Sequence, residues 1–371
     1  MPFQNIHASY PWEQIREKIY NSSVSDVRNV LNRKNLHVSI EDFCSLLSPA
    51  AVPFLDEMAE RSRQMTLRRF GNIIQMYIPL YLSNECQNIC TYCGFSQTNK
   101  IYRVTLNDEQ ILAEVHAIKK MGFDNVLLVT GEANNSVDAG YILHAIKLIR
   151  PFFANISIEV QPFDTEIYRT FIAEGVSTVL VYQETYNVDS YKQFHPKGKK
   201  SNFQYRLDTP ERLGKSGIFR TGLGFLIGLD DWRTEAWFLA LHLEYLKKYY
   251  WKTKYSVSFP RLRPAEGVEI KSNITDDELL QLICAFRLLD ENLELTLSTR
   301  EAPAFRDKAI SLGITNISAG SKTQPGGYSN GINNLEQFEI TDDRHPYQIA
   351  EVISSKGYEP VWKDWFEELR V

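Results

Sequence analysis

The amino-acid sequence predicts an α/β protein built around a closed (β/α)8 barrel of the TIM type, with helices before it and a short segment after it. From residue 72 onward, short β-rich runs alternate with helical stretches, a pattern typical of parallel βα units. Eight such runs can be counted, and eight consecutive βα units close most simply into a barrel. The length of 371 residues fits one barrel with additional segments, although two smaller domains would also be compatible.

The first 70 residues are predicted to form an N-terminal helical extension. Ser25 is expected to cap the helix VRNVLNR, and Ser39 with Asp42 resembles a capping box before FCSLL. The barrel is assigned to residues 71–323, and residues 324–371 are expected to pack on it as a C-terminal decoration with a short helix near 345–356.

The candidate strands are apolar or β-branched runs that lead into polar residues. They lie at residues 73–82, 125–130, 156–161, 177–183, 219–227, 255–262, 293–299 and 314–320. Helix boundaries between them are predicted from capping residues, with starts at Thr105, Thr209 and Thr275 and ends at Gly122 and Gly217. Because barrel enzymes carry their chemistry at the carboxyl ends of strands, the polar residues there are the best functional candidates.

The composition gives no reason to expect a nucleic-acid or membrane partner. Hydrophobic residues make up 43% of the chain, charged residues 23%, and the formal net charge is −5. No run of about 18 apolar residues indicates a transmembrane span, and the N-terminus lacks the apolar core of a secretory signal. A reducing cytoplasm is therefore the expected location.

Three of the five cysteines, Cys86, Cys90 and Cys93, fall within eight residues at the spacing C-x3-C-x2-C. This clustering disfavours a disulfide framework. Thiolates suit iron–sulfur clusters, and three of them leave one iron of a four-iron cluster open to another ligand. Unlinked structural cysteines or an incomplete zinc site are the alternatives, but no histidine or fourth cysteine lies close in the chain. Cys44 and Cys284 lie in apolar helical runs and are expected to be inert buried thiols.

This motif, with the aromatic Tyr92 before its third cysteine, resembles the signature of the radical S-adenosylmethionine superfamily. The resemblance implies a [4Fe–4S] cluster whose open iron binds the amino and carboxylate groups of S-adenosylmethionine, with Tyr92 among the cofactor-binding residues. It also implies that one electron from the cluster cleaves the sulfonium to give methionine and a 5′-deoxyadenosyl radical. The protein would supply placement and exclusion of water.

The same resemblance implies further cofactor-binding residues where the second and third strands end. Gly131 and Glu132, in TGE, are similar to the superfamily's Gly-Gly-Glu motif, which receives the methionine ammonium, although Gly-Glu after a strand is often only a turn. In IEVQP, either Glu159 or Gln161 would reach the ribose, unless both are polar residues of the barrel core.

Glu184, which ends the fourth strand, and Arg206, before the next helix, are implied as a further cofactor-binding pair. The arginine would bind the cofactor carboxylate, because its two parallel N–H groups match a carboxylate. GLGFLIGL at 222–229 resembles the strand that packs against adenine. The basic run at 198–206 between these residues is interpreted as a solvated loop, with a lid or docking surface as the alternative.

Longer motifs along nearly the whole chain resemble the 2-iminoacetate synthases, the tyrosine lyases of anaerobic thiamine biosynthesis; among them are MYIPLYLSN, LLVTGE, VYQETY, YSVSFPRLRP and SKTQPGGY. The resemblance implies cleavage of the Cα–Cβ bond of L-tyrosine to 2-iminoacetate (dehydroglycine) and p-cresol, with methionine and 5′-deoxyadenosine. It implies two partners, a thiazole synthase scaffold protein and an electron donor such as flavodoxin or ferredoxin. Direct transfer to the scaffold is expected because 2-iminoacetate hydrolyses readily in water.

The tyrosine carboxylate requires a cation, and Arg300, in LSTRE at the end of the seventh strand, is the candidate that the resemblance implies. The alternative is a surface pair between Arg300 and Glu301. Arg263 is interpreted as a structural salt-bridge partner and is left out of the site.

Three further residues are substrate-binding candidates. Ser318 and Ser321, at the end of the eighth strand, would bond the amino or carboxylate group of the substrate, and Tyr81, just before the cysteines, would position the amine. No residue is assigned to the phenol hydroxyl.

Three other functions are weighed against this one. The hydrogenase-maturation tyrosine lyase shares the first cluster and the tyrosine cleavage, but carries a second cysteine set, and here no cysteine follows Cys284. Tryptophan lyase differs in its substrate. A non-enzymatic iron–sulfur electron carrier would require four cysteines and no barrel.

Overall fold

The predicted barrel is present in the computed structural model, which describes residues 2–33, 38–265, 274–329 and 336–363. Its sheet is closed because the first strand, β1 (Ile73–Ser83), pairs in parallel with both β2 (Asn125–Thr130) and β8 (Asn316–Ser318). Between these two neighbours of β1 the sheet runs in sequence order through β3 (Asn155–Glu159), β4 (Val176–Leu180), β5 (Arg220–Gly224), β6 (Lys254–Ser258) and β7 (Glu294–Leu297). The (β/α)8 fold class is thereby confirmed.

Several strands end earlier than the sequence runs suggest, and β4 and β5 give the physical reason. After β4 ends at Leu180, the chain stays extended, and the Val181 amide donates to the Gly222 carbonyl at 3.2 Å. The Gln183 amide then donates to the Gly224 carbonyl at 3.1 Å. The residue pattern of a strand therefore continues beyond the regular pairing and brings the polar residues to the rim of the barrel.

Helices form an N-terminal group and an outer layer around the barrel. The N-terminal group comprises α1 (Phe3–Ala8), α2 (Trp12–Tyr20), α3 (Val24–Leu31), α4 (Ile40–Leu47), a 3-10 helix (Pro49–Phe54) and α5 (Leu55–Phe70). The outer layer comprises α6 (Asp108–Lys120), α7 (Ala139–Ile149), α8 (Thr165–Ala173), α9 (Val188–Phe194), a 3-10 turn (Lys199–Ser201), α10 (Phe203–Leu207), α11 (Thr209–Ser216), α12 (Trp232–Tyr249), α13 (Asp276–Leu289) and α14 (Pro303–Ala309).

The N-terminal helices pack on α12 and α13 and share an apolar core with them. The buried Trp237 indole donates to the Ile40 carbonyl at 3.1 Å. The buried Gln281 amide donates to the Leu46 and Ser48 carbonyls at 2.8 and 2.9 Å. These bonds satisfy polar atoms inside an apolar interface, so the extension has a defined position on the barrel.

Some predicted helix ends are confirmed. Ser39 and Thr275 each form the full capping box at the start of α4 and α13. Gly217 ends α11 in the left-handed conformation, with φ of 83°, which glycine adopts without a Cβ clash.

Two predicted caps are wrong. Ser25 lies inside α3, because Ser23 accepts the amide of Asp26 and forms the capping box two residues earlier. Thr105 lies before α6 and forms a side-chain hydrogen bond of 2.8 Å with Ser83, while Asn107 caps the helix. Several hydroxyl or amide side chains near a helix start satisfy the same capping pattern, so the sequence does not select among them.

The C-terminal helix is confirmed as α15 (Pro346–Ser355), and a short strand follows it that the sequence did not indicate. This strand, β9 (Glu359–Val361), pairs in parallel with Ile73–Gln75, the first residues of β1. Three residues carry no alternating pattern to be recognised. Within the part of the chain described, no helix is long and apolar enough to cross a membrane.

Candidate functional site

The carboxyl ends of the barrel strands surround a cavity of about 140 Å³ that opens to solvent. Eight of the residues predicted for the site line this cavity: Tyr81, Tyr92, Cys93, Glu159, Glu184, Arg300, Ser318 and Ser321. They come from strand ends or loops that are far apart in the chain. The closed barrel brings them to one rim, as the fold class predicted.

The cysteine loop, residues 84–107 between β1 and α6, lies at this rim. Its three cysteines are free thiols, with Cys90 buried and Cys86 and Cys93 partly buried. Two successive turns shape the loop: the Cys93 amide donates to the Cys90 carbonyl at 3.3 Å, and the Ser96 amide donates to the Cys93 carbonyl at 3.0 Å. These two backbone hydrogen bonds fold the motif into a tight wrap.

Arg103 holds the cysteine loop together from its C-terminal side. Its guanidinium donates to the carbonyls of Asn84 and Phe95 at 2.6 and 2.9 Å. It also donates to the carbonyls of Ser96 and Asn99 at 2.7 and 3.3 Å. One side chain thereby satisfies four carbonyls that no helix or strand pairs. Nothing in the local sequence pattern around Arg103 indicates this role.

The predicted TGE motif packs directly on the cysteine loop. A Cβ atom on Gly131 would lie 2.1 Å from the Glu85 carbonyl oxygen, so only glycine fits there without a backbone shift. The Glu132 carbonyl accepts a hydrogen bond from the Gln87 backbone amide at 2.9 Å. Its carboxylate accepts a hydrogen bond from the Asn88 side-chain amide at 2.8 Å. Gly131 and Glu132 therefore fix the loop that carries the cysteines.

Four side chains between 8% and 13% exposed form a chain of alternating charge beside this loop: Glu132, Arg206, Glu184 and Lys200. Arg206 lies 2.9 Å from Glu132 and 3.4 Å from Glu184, and Lys200 lies 2.7 Å from Glu184. Burial acts to lower the pKa of Arg206, yet the flanking carboxylates raise it. Burial likewise acts to raise the pKa of Glu184, but Lys200 and Arg206 lower it. Arg206 and Glu184 are therefore both charged at neutral pH.

Glu184 has a φ of +70°, a value that is uncommon for a residue other than glycine. Such a conformation costs about 1–3 kcal/mol unless the surroundings fix it. Here Lys200 and Arg206 fix the carboxylate, and the Glu184 carbonyl accepts the Leu226 amide at 2.8 Å. The strained residue lies in the cavity wall, where functional residues concentrate such strain.

The interpretation of residues 198–206 as a solvated loop is wrong for its central part. Lys200 is tied to Glu184, and its amide donates to the Asn88 side chain at 3.0 Å. A Cβ atom on Gly198 would lie 2.2 Å from the Asn88 carboxamide oxygen, so this segment touches the cysteine loop. The signal in the sequence, a lysine among other basic residues, does not distinguish a buried ion pair from an exposed one.

Arg300 points into the cavity, and the alternative of a pair with Glu301 is contradicted. Glu301 accepts from the guanidinium of Arg261 at 2.6 Å instead. The guanidinium of Arg300 stacks on the ring of Phe338, with its central carbon 3.4 Å from the ring centroid. Arg263, interpreted as structural, also lines the cavity, and its buried Nε has no hydrogen-bond partner. The cavity therefore presents two arginines rather than one.

The hydroxyl groups predicted for the substrate line the same cavity as Arg300. Ser318 accepts the amide of Thr299 at 3.1 Å, while the buried Ser321 hydroxyl has no partner. The Tyr81 hydroxyl is buried and donates to the Gln337 side chain at 2.8 Å. Ser321 is thus a free donor and acceptor aimed at the cavity.

Of the two candidates at the end of β3, only Glu159 lines the cavity. Gln161 donates to the Val137 carbonyl at 2.7 Å and does not line it. Burial raises the pKa of Glu159 to about 7, and the neighbouring carboxylate of Glu184 adds to the increase. Glu159 is therefore the better candidate to contact a molecule bound in the cavity, and its pKa lies near neutral pH.

The residues at the rim fit a [4Fe–4S] cluster with three protein ligands. Three free thiols share one loop, and the close packing at Gly131 and Asn88 holds that loop in place. Within residues 2–33, 38–265, 274–329 and 336–363, no three His, Cys, Asp or Glu side chains converge on a point that suits a single metal ion. A four-iron cluster makes a different demand, because each thiolate binds a separate iron.

Comparison with known proteins agrees with this site. The radical SAM superfamily model matches residues 80–237, and the Biotin and Thiamin Synthesis associated domain model matches residues 258–359. The 2-iminoacetate synthase of Salmonella typhimurium is 49% identical over 356 residues, which cover 95% of this chain and 94% of that protein. The Escherichia coli 2-iminoacetate synthase is 48% identical over the same length.

Solved structures share the fold. HydG, a maturase of the [FeFe]-hydrogenase, has a TM-score of 0.91 at 30% identity, covering 96% of this chain and 81% of that chain. Methylornithine synthase (PylB) has a TM-score of 0.73 at 20% identity, covering 92% of this chain and 99% of that chain, which shows a common fold alone.

The first prediction concerns the cluster ligands. Replacing Cys86, Cys90 or Cys93 with alanine removes one thiolate and should abolish a stable [4Fe–4S] cluster, measured as iron and sulfide content after anaerobic reconstitution. Cys44→Ala and Cys284→Ala are the controls, since burial raises the pKa of these thiols to about 11 and about 12 and neither lies in the loop. Loss of the cluster in either control would contradict the assignment.

The second prediction concerns Glu159 in the cluster-free protein. Its folded-state pKa of about 7 exceeds the unfolded value near 4.3, so ionisation favours unfolding, and stability is lost as pH rises between these values. The free energy of unfolding of Glu159→Gln relative to the parent should therefore increase by roughly 1–3 kcal/mol as the pH rises from ~5 to ~8. Chemical unfolding at the two pH values measures this gain. Glu351→Gln, at an exposed position, is the control and should show no such gain. If the stability difference between Glu159→Gln and the parent is the same at both pH values, the raised pKa is refuted.

Proposed function

This chain belongs to the 2-iminoacetate synthases of the radical S-adenosylmethionine superfamily, and we propose that it cleaves L-tyrosine in the cavity at the mouth of its barrel. The products are 2-iminoacetate (dehydroglycine) and p-cresol, with methionine and 5′-deoxyadenosine. The observation that supports this most strongly is a single cavity in which Cys93, Arg300 and Ser321 face the same space. The 2-iminoacetate would supply part of the thiazole ring of thiamine.

The cofactors of the superfamily are a [4Fe–4S] cluster and S-adenosylmethionine. Cys86, Cys90 and Cys93 would hold the cluster, and together these cofactors supply the radical that starts the cleavage. Around them the protein's task is placement. Glu132 offers a carboxylate for the methionine ammonium while it accepts from Asn88 and Arg206.

Arg206 is proposed to have a task different from the one that the resemblance implied. Its guanidinium already donates to the Tyr182 carbonyl at 2.6 Å and to both neighbouring carboxylates. It would therefore orient Glu132 and Glu184 for the cofactor rather than bind the cofactor carboxylate alone. Tyr92 and Glu159 line the cavity on the same side and are proposed to contact the rest of the cofactor.

The substrate is proposed to enter with its carboxylate toward Arg300. Burying a carboxylate without a partner costs several kcal/mol, and a guanidinium fork offsets that cost and fixes the orientation of the ligand. Phe338 holds the plane of Arg300 from one side. Ser318 and Ser321 add hydroxyl groups for the substrate's polar end, and Tyr81 closes the wall near the cysteines.

Two protein partners are proposed. A thiazole synthase scaffold protein would receive 2-iminoacetate directly, because that product is lost to hydrolysis in water. An acidic electron-transfer protein such as flavodoxin or ferredoxin would dock near the cysteine loop, where Lys100, Lys197 and Lys199 are exposed. Cytoplasmic location, expected from the sequence, stays a prediction.

The tyrosine lyase of hydrogenase maturation is the second candidate, because HydG shares the fold at 30% identity. The two curated 2-iminoacetate synthases, at 49% and 48% identity over 95% of the chain, favour the first. The two functions separate by product, since hydrogenase maturation releases cyanide and carbon monoxide from the same substrate.

The third prediction tests the reaction. Anaerobically reconstituted protein with S-adenosylmethionine, dithionite and tyrosine should give p-cresol, 5′-deoxyadenosine and glyoxylate, the hydrolysis product of 2-iminoacetate. Tryptophan in place of tyrosine should give little product. Skatole as the main product from tryptophan, or cyanide and carbon monoxide from tyrosine, would overturn the assignment in favour of the corresponding rival.

The same assay tests both partners. Adding the scaffold protein should lower glyoxylate while p-cresol is unchanged. Replacing dithionite with reduced flavodoxin or ferredoxin should give a rate that falls with added salt, because exposed lysines contribute by screened attraction. A rate independent of salt would argue against docking at these lysines.

The fourth prediction separates substrate residues from cofactor residues. Arg300→Lys keeps the charge but loses the fork, and Arg300→Ala loses both, so kcat/KM for p-cresol should fall roughly 30- to 1000-fold, or about 2–4 kcal/mol. Cleavage of S-adenosylmethionine without tyrosine should persist in both variants. Glu132→Ala and Arg206→Ala should depress that uncoupled cleavage as well. Loss of tyrosine-independent 5′-deoxyadenosine in Arg300→Ala at normal cluster content would show that Arg300 serves the cofactor.

A further inference from the structure

Gln337, in the C-terminal segment, reaches the cysteine loop through its backbone. Its amide donates to the Thr323 carbonyl at 3.0 Å, and its carbonyl accepts the Gly94 amide at 3.1 Å. A Cβ atom on Gly94 would lie 2.7 Å from that carbonyl oxygen, so the two backbones are in close contact directly after Cys93. The position of Gln337 relative to the third cysteine is therefore fixed on both sides.

The side chain of Gln337 links Cys93 with Tyr81. Its Nε2 donates toward the Cys93 Sγ at 3.7 Å, and its Oε1 accepts from the Tyr81 hydroxyl at 2.8 Å. The reverse orientation of the amide would direct a carbonyl oxygen at a sulfur that is a thiolate in the loaded protein. Electrostatics therefore selects the orientation in which the N–H group faces the sulfur.

We propose that Gln337 is a positioning residue for the cluster: its N–H···S hydrogen bond to the Cys93 thiolate makes the cluster easier to reduce, and the Tyr81 hydroxyl holds the amide in place. Reduction adds negative charge to the cluster and its sulfur ligands. A donor fixed beside one of those sulfurs stabilises the reduced form more than the oxidised form.

The inference rests on the cluster assignment within the proposed function and adds a role for Tyr81. Tyr81 and Gln337 both line the cavity proposed for tyrosine, and Cys93 lines it too. The proposed substrate cavity and the cluster ligand thus share one hydrogen-bonded chain: Tyr81, Gln337 and Cys93.

The fifth prediction is a redox titration of the reconstituted protein without S-adenosylmethionine and without tyrosine, followed by the spin signal of the reduced cluster. In Gln337→Leu, the ratio of reduced to oxidised cluster at a fixed applied potential should fall roughly 2- to 10-fold, the loss expected for one hydrogen bond. In Gln337→Glu, whose side chain has the same size, this ratio should fall at least as far. Tyr81→Phe keeps the Gln337 amide but removes the hydroxyl group that holds it. The ratio of reduced to oxidised cluster should therefore fall less than in Gln337→Leu.

Gln97→Leu is the matched control, because it removes the same group from an exposed site on the cysteine loop and should leave the titration unchanged. If Gln337→Leu holds its full iron content and its redox titration matches that of the parent, the inference is overturned. If Gln337→Leu fails to hold a cluster, the isosteric Gln337→Glu decides, and an unchanged titration there overturns it equally. The p-cresol assay is separate: a shifted potential without p-cresol would keep this inference and remove the lyase assignment.

Discussion

Four alternating charges, Glu132, Arg206, Glu184 and Lys200, join the parts of the protein that meet beside the cysteines. They come from the ends of two strands, from α10 and from the turn before it. Removing one partner from such a buried chain leaves a charge uncompensated, which costs about 3–5 kcal/mol. Their net charge is zero, so each charge is tolerated at the rim only because its neighbours are present. The placement of the cysteine loop follows, since Glu132 also holds that loop through Asn88.

The cysteine loop between β1 and α6 forms neither a helix nor a strand. The cost is a set of backbone carbonyls without helix or strand partners. Arg103 satisfies four of them, and Gln337 meets the loop from the C-terminal segment. Order in this loop is therefore supplied by the Arg103 side chain at its C-terminal end and by the backbone of the C-terminal segment.

The features that the sequence predicted have local patterns, and those it missed do not. Strands alternate with helices at a readable period, and the three cysteines are spaced within one loop, so the barrel and the cysteine motif could be recognised. Arg300 could be placed in the cavity because a polar residue at the end of a barrel strand faces the mouth. Lys200 and Gln337 depend on partners that are distant in sequence: Gln337 contacts Tyr81 across 256 positions. No local pattern encodes such a contact, so only the folded chain reveals it.

The N-terminal helix α1 also bears on the site, because it holds the loop that follows Glu184. His7 forms a hydrogen bond of 2.9 Å with the Tyr186 carbonyl, and burial lowers the pKa of its ring. From the barrel side, the buried Glu235 carboxyl group accepts a hydrogen bond from the Tyr186 backbone amide at 2.7 Å. Tyr186 is thus held on both faces, two residues after the backbone strain at Glu184. A strained residue persists only where its surroundings over-determine it, and here α1 and α12 supply that constraint. Helix α1 is therefore part of the support of the site, although it lies far from Glu184 in the sequence.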